Sequence, residues 1–142
     1  MRSLLDVNVL IALLDEDHIS HAAATAWFSK QASAGWASCP ITQNGCLRIM
    51  SHAGYPNTQP VQQIALRLRA ATSERIHTFW PDNQSLLDDT LIDSSQIHGP
   101  RQLTDVYLLA LAVTSKGRLV TFDASIALSA VRGAKAHHIH KL

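Results

Sequence analysis

Short apolar runs alternate with segments of helical period along this 142-residue chain. That alternation, with no internal repeat and no low-complexity linker, points to an α/β architecture. Ser3 to Leu5 reads as the first strand, and Val9-Leu10-Ile11-Ala12-Leu13-Leu14 is long enough for a short buried helix. His18 to Gln31, with Ala22, Ala26 and Trp27 and a cap at Ser20, reads as a second helix. Trp36-Ala37-Ser38 is a weak strand candidate before Pro40, and Thr42 offers an N-cap for a helix to about Ser51, closed by the turn signal Gly54-Tyr55-Pro56. Val61 to Ala71 carries apolar residues at near-helical spacing, with Arg67 and Arg69 on its flanks. Ile76 to Trp80 reads as a strand stopped by Pro81, and the polar segment after it predicts a helix start near Ser85. After a break at His98-Gly99-Pro100, Thr104 caps a helix from Asp105 to Lys116, with Gly117 in the position that favours a left-handed residue. Arg118 to Phe122 is the last clear strand, and Ala136 to His140 can add an edge strand.

The length suits one domain over residues 1–142, with a single sizeable core. A composition of 46% hydrophobic and 16% charged residues argues against a disordered or fibrous chain. No apolar run reaches the roughly 18 residues of a membrane span, and Asp6 interrupts the N-terminus before a secretory apolar region develops. A cytoplasmic protein without a membrane contact is the expectation. Cys39 and Cys46 match neither a redox CxxC pair nor a zinc knuckle and read as buried free thiols. The net charge is only +1, but Lys30, Arg48, Arg67 and Arg69 are the formally charged residues between Asp17 and Glu74. That basic stretch suits a polyanion such as RNA or an acidic partner peptide, or simply a solvated face.

Two acids stand at equivalent positions. Asp6 follows the apolar end of the first strand, and Asp123 follows Leu119-Val120-Thr121-Phe122. Both should leave the carboxyl ends of parallel strands, where open α/β sheets place their ligand crevice. Asp105 stands in the first turn of a helix, where the peptide dipole favours an anion. Taken singly, each has a structural explanation as a cap or turn residue. Brought together, three carboxylates would repel one another unless a hard divalent cation neutralised them, and Mg²⁺ or Mn²⁺ suits such oxygen ligands.

Four ordered segments carry a family resemblance: Leu4-Leu5-Asp6-Val7-Asn8-Val9-Leu10, Thr42-Gln43-Asn44-Gly45-Cys46-Leu47-Arg48, Leu103-Thr104-Asp105-Val106-Tyr107-Leu108-Leu109-Ala110 and Val120-Thr121-Phe122-Asp123. In order and approximate spacing they resemble the motifs of PIN domains, specifically VapC-type toxins of toxin–antitoxin pairs. The resemblance implies an α/β/α sandwich with a central, mainly parallel sheet. It implies a Mg²⁺- or Mn²⁺-dependent endoribonuclease, frequent homodimers, and a cognate antitoxin protein that inserts near the active site. By position, Asp6, Asp105 and Asp123 correspond to family acids and are the expected metal ligands. Asp123 either binds metal directly or holds a coordinated water, and Thr121 orients substrate or a carboxylate.

One position departs from the family. Many PIN domains have a glutamate in the second motif, where this chain has Thr42-Gln43-Asn44-Gly45, a pattern similar to that of a toxin-like subgroup. Asn44, or else Gln43, would supply a neutral oxygen or orient a metal-bound water in its place. Fewer carboxylates imply one resting metal, completed by substrate phosphate. Arg48, one helical turn beyond Asn44, either reaches a phosphate near the scissile bond or is an ordinary exposed arginine.

Other groupings lead elsewhere. His137, His138 and His140 form a C-terminal cluster without a neighbouring acid or cysteine, and read as an exposed edge rather than a metal site. Trp27, Trp36 and Trp80 lie outside any basic-aromatic repeat and read as core or dimer-interface residues. Asp6-Val7-Asn8 faintly resembles the phosphoryl-aspartate motif of haloacid dehalogenases, with Asn8 where that motif has a second acid. A catalytically impaired PIN-like binding or regulatory module and an aspartyl phosphatase therefore stand as alternatives to the toxin-like ribonuclease.

Overall fold

The protein is described from a computed structural model covering residues 1–123 and 125–142. Five parallel strands, β1 (Ser3–Leu5), β2 (Trp36–Ser38), β3 (His77–Phe79), β4 (Arg118–Thr121) and β5 (Ile139–Lys141), lie in the order β3-β2-β1-β4-β5. Five α-helices accompany them: α1 (Val7–Leu14), α2 (His21–Gln31), α3 (Pro40–Met50), α4 (Val61–Thr72) and α5 (Leu103–Thr114).

The period-two geometry of the strands divides the core between two faces. Leu4, Ala37 and Leu119 pack with α5 and with Leu91, Ile92 and Val131 of the long connections. Their neighbours Leu5, Trp36 and Val120 turn the other way, onto Val9, Leu10 and Ile11 of α1, Cys46 and Met50 of α3, and Ile64 and Leu68 of α4. Both faces are thus covered, so the central strands are buried nearly throughout rather than alternating between buried and exposed residues. The α/β/α sandwich expected from the family resemblance is present, with every strand parallel.

Several boundaries differ from the sequence expectations for identifiable reasons. Helix α1 begins two residues early because the Asp6 carboxylate accepts the Val7 amide at 2.7 Å. Ser20 occupies the N-cap position of α2 without a side-chain cap bond, and the helix starts at His21. Thr42 does not cap α3 but sits in its first turn, its hydroxyl accepting the Cys39 amide at 3.0 Å, while Pro40 opens the helix. Likewise α5 starts at Leu103 behind a 3-10 turn, Pro100–Gln102, so Thr104 is helical rather than a cap. No helix forms near Ser85. There the Ser85 hydroxyl accepts the Leu87 amide at 3.1 Å and Asp88 accepts the Thr90 amide at 2.9 Å, and such local bonds compete with a helix ladder. At the C-terminus, 136–138 is a 3-10 turn and only Ile139–Lys141 pairs with β4.

The three tryptophans are at least partly enclosed. Trp36 is 4% exposed and Trp80 9%, and Trp27 packs on His140 at 5.7 Å between ring centres. The histidine cluster is divided: His138 accepts the Lys135 amide at 2.9 Å and stacks on His137, while His140 faces Trp27. Both cysteines are free and fully buried, and desolvation pushes the Cys46 thiol up to about 12. Among the described residues no helix is long and apolar enough to cross a membrane.

Beyond Thr114 the left-handed residue is Lys116, φ 57°, and not Gly117. Gly117 is needed for space instead. A Cβ there would lie 2.6 Å from the Trp80 ring and 2.7 Å from the Arg2 carbonyl, where β4 enters the sheet beside β1. Gly117→Ala is expected to lose about 1–3 kcal/mol of stability by overpacking, read from the urea midpoint at unchanged m-value.

Candidate active site

In the strand order 3-2-1-4-5 the crossovers leave β1 toward β2 on one side, while β4 joins on the other. The switch point lies between β1 and β4, and the crevice beyond their carboxyl ends is where such sheets bind ligands. Asp6 is the residue after β1, and Asp123 lies two residues after β4.

Asp6 is the most constrained side chain of the site. Its amide donates to the Val120 carbonyl at 3.0 Å, extending the ladder by one residue. Its Oδ1 accepts the Val7 amide at 2.7 Å, and its Oδ2 accepts the Thr121 hydroxyl at 2.8 Å. Thr121 is fully buried, so its hydroxyl positions Asp6 and does not meet solvent or substrate. The same Thr121 oxygen accepts the Asp123 amide at 3.0 Å, which ties the two acidic exits together. The Asp123 carboxylate turns onto its own loop, accepting the Ser125 amide and hydroxyl, both at 2.7 Å. Asp105, partly buried in the first turn of α5, comes from the third side.

The charges of these groups bear on one another. Burial, followed by Asp6 and then Asp123, pushes Asp105 up to about 6. Burial also raises Asp6, against the lowering by the Thr121 hydroxyl and the Val7 amide, and Asp123 raises it further. Asp123 is held below the usual carboxylate range, chiefly by the Ser125 hydroxyl and amide, with Lys141 assisting.

The donor set is all oxygen and suits a hard divalent cation. Asp6 and Asp105 are the two acids of the site that burial pushes up, and an ion would relieve both. Among the described residues no three His, Cys, Asp or Glu side chains are grouped closely enough to hold an ion as they stand.

The remaining candidates fall on two cavities beside these acids. One, of about 220 Å³, is lined by Asp105, Asp123, Arg101 and Gln102. The other, of about 300 Å³, contains Asn44 and Arg48, both exposed on α3, together with Thr104 and Asp82. Asn44 and Arg48 thus share a groove with each other and not with the acid pair Asp105 and Asp123. Arg101 and Asp82 were not singled out from sequence. The signals available were a cation four residues before Asp105 and an acid just past the third strand, each too common to stand out alone.

Asp105 also affects stability. Its folded-state value near 6 lies above the ordinary 3.8, so its contribution is present at low pH and lost as pH rises through 6. In EDTA, Asp105→Asn is expected to be more stable than the parent at pH 8, on the order of 1 kcal/mol after solvent screening. Urea denaturation should show that gap closing by about pH 4.

The chain matches the family model described as PIN domain over residues 3–133. It is 54% identical over 142 residues, covering 100% of both chains, to "Ribonuclease VapC44" of Mycobacterium tuberculosis (strain ATCC 25618 / H37Rv). It is 46% identical over 134 residues to "Ribonuclease VapC39" of the same strain, covering 94% of this chain and 96% of that one. In fold it is similar to a solved structure described as "Crystal structure of VapBC2 from Rickettsia felis bound to a DNA fragment from their promoter". That match has TM-score 0.57 and 14% identity, and covers 88% of this chain and 90% of the other. With a family match over nearly its whole length and relatives at 54% and 46% identity, this chain belongs to the PIN domain family.

Proposed function

We propose that the protein is the toxin of a toxin–antitoxin pair, an endoribonuclease that hydrolyses RNA phosphodiester bonds with Mg²⁺ or Mn²⁺. The observation that carries this reading is Asp105, pushed up to about 6 by burial and by the facing Asp6 and Asp123. Such an arrangement is costly in the free protein and is relieved by a divalent cation. The similarity to ribonucleases over the full chain supports the substrate class. A single domain acting in the cytoplasm, as a homodimer with a cognate antitoxin protein, completes the proposal.

In this reading Asp6 and Asp105 hold the ion. When bound, the ion activates water and neutralises charge on the phosphate. The other residues prepare the site. Thr121 fixes the Asp6 carboxylate in one rotamer through its 2.8 Å bond. Asp123, anchored by Ser125, presents its remaining oxygen lone pairs to a water at the cleft. Arg101, beside Asp105 and Asp123, is placed to take a phosphate oxygen of the substrate, and Arg48 does the same from the neighbouring groove.

An aspartyl phosphatase finds less support. Asp6 accepts hydrogen bonds on both carboxylate oxygens and is 8% exposed, a poor setting for in-line attack on a phosphate ester.

Purified protein is expected to cut a structured RNA pool with Mg²⁺ or Mn²⁺ and to stop in EDTA. Asp6→Asn and Asp105→Asn should each lose at least a hundredfold in rate, while Thr121→Val should lose less because it only frees a ligand's rotamer. Absence of cutting by the folded, antitoxin-free parent across transfer, ribosomal and messenger RNA would favour the binding-module reading.

A further inference from the structure

The cavity beside the acids contains more than a phosphate contact requires. Val7 immediately follows Asp6 and Thr104 immediately precedes Asp105, so this cavity of about 300 Å³ adjoins the catalytic acids directly. Its lining includes the apolar side chains of Val7 and Ile41 and four polar groups: Asn44 and Arg48 of α3, Thr104 of α5, and Asp82 just beyond β3. Gly45 lies between the two α3 residues without a side chain and lets α3 approach Val7 closely; a Cβ there would sit 2.7 Å from a Val7 methyl.

Asp82 is the informative member. A carboxylate in a groove that admits a polyanion repels the backbone, so its presence requires a donor-rich partner group. Among the described residues Asp82 has no ion-pair partner, and Arg48 in the same cavity is likewise unpaired. Asp82 also neighbours Tyr107, 7% exposed: burial and then the Asp82 charge push that phenol up, so one edge of the carboxylate is held from the core side while it lines the cavity. Apolar walls with a few convergent polar groups suit a planar heterocycle. Single-stranded RNA presents such rings, with their pairing edges free to hydrogen-bond. Of the four bases, only guanine offers two adjacent donors, N1–H and N2–H₂, which match the two oxygens of one carboxylate. Its neighbouring O6 needs a donor, and an asparagine amide provides one.

Resting on the ribonuclease reading above, we propose that this cavity is a guanine subsite beside the scissile phosphate. Asp82 accepts from N1–H and N2–H₂, Asn44 donates to O6, and Arg48 binds the adjoining phosphate. The subsite makes the enzyme select RNA at a guanosine. A site built around two hydrogen bonds rejects a base lacking one of them by more than an apolar pocket could.

The test uses nucleotide binding, which does not depend on cleavage. The full-length protein is titrated with GMP, IMP, AMP, CMP and UMP and followed by amide NMR shifts. IMP lacks only the N2 amino group. GMP is expected to bind about tenfold more tightly than IMP and the other three, shifting the amides around Asn44, Arg48 and Asp82. Asp82→Asn, whose amide dispersion confirms folding, is expected to bind GMP and IMP equally. Equal GMP and IMP affinity in the parent, a GMP preference kept in Asp82→Asn, or shifts confined to other surfaces would each overturn the subsite. RNA cleavage is assayed on the same preparations. Guanine selectivity without cutting would remove the nuclease and leave the subsite; cutting without that selectivity would do the reverse.

Discussion

Burial of carboxylates that the fold also holds near one another governs the chemistry of this structure. Burial is the larger cost of ionising Asp6 and Asp105, and neighbouring charge adds to it, Asp123 acting on Asp6, and Asp6 and then Asp123 on Asp105. The sheet imposes that proximity. β1 and β4 are adjacent and in register, from Ser3 opposite Arg118 to Leu5 opposite Val120, so their carboxyl ends open at one place. Thr121 then joins Asp6 to the Asp123 backbone with one hydroxyl. Stability lost at such a site is the usual accompaniment of function, and the apolar layers on both faces of the sheet offset it.

Much of this was legible in the sequence because parallel strands covered on both faces need apolar runs, and runs that end in aspartate stand out. Asp6 and Asp123 could be placed at strand exits from pattern alone. Asp105 could be placed in a first helical turn, although the turn itself begins at Leu103 and not at Asp105. What could not be read was local chemistry that depends on partners far along the chain. Thr42 looks like a helix cap in sequence, yet Pro40 begins the helix earlier and Thr42 bonds backward to Cys39. Gly117 looks like a left-handed stop, yet its requirement comes from Trp80 and Arg2, which only the sheet brings to it. The segment after Pro81 has helix-start residues whose side chains bond their own backbone instead.

The same limitation hid Asp82 and Arg101. Neither lies in a motif, and each acquires meaning only beside residues distant in sequence: Asp82 with Asn44 and Arg48, Arg101 with Asp105 and Asp123. The second motif contains no acid, and the acid that shares its cavity, Asp82, comes from the exit of the third strand. The site is thus an acid centre between two cavities, each lined by an arginine. That layout suits a nucleic-acid strand running through the cleft with its phosphate at the centre.

The central claim is that the repelling carboxylates form a cation site. Crystals grown with Mn²⁺ and measured at the manganese absorption edge test it most directly. The account predicts one strong anomalous peak between Asp6 and Asp105, with Asp123 reaching it through water. A well-ordered cleft with no peak at high Mn²⁺, or manganese bound only elsewhere on the molecule, would contradict it.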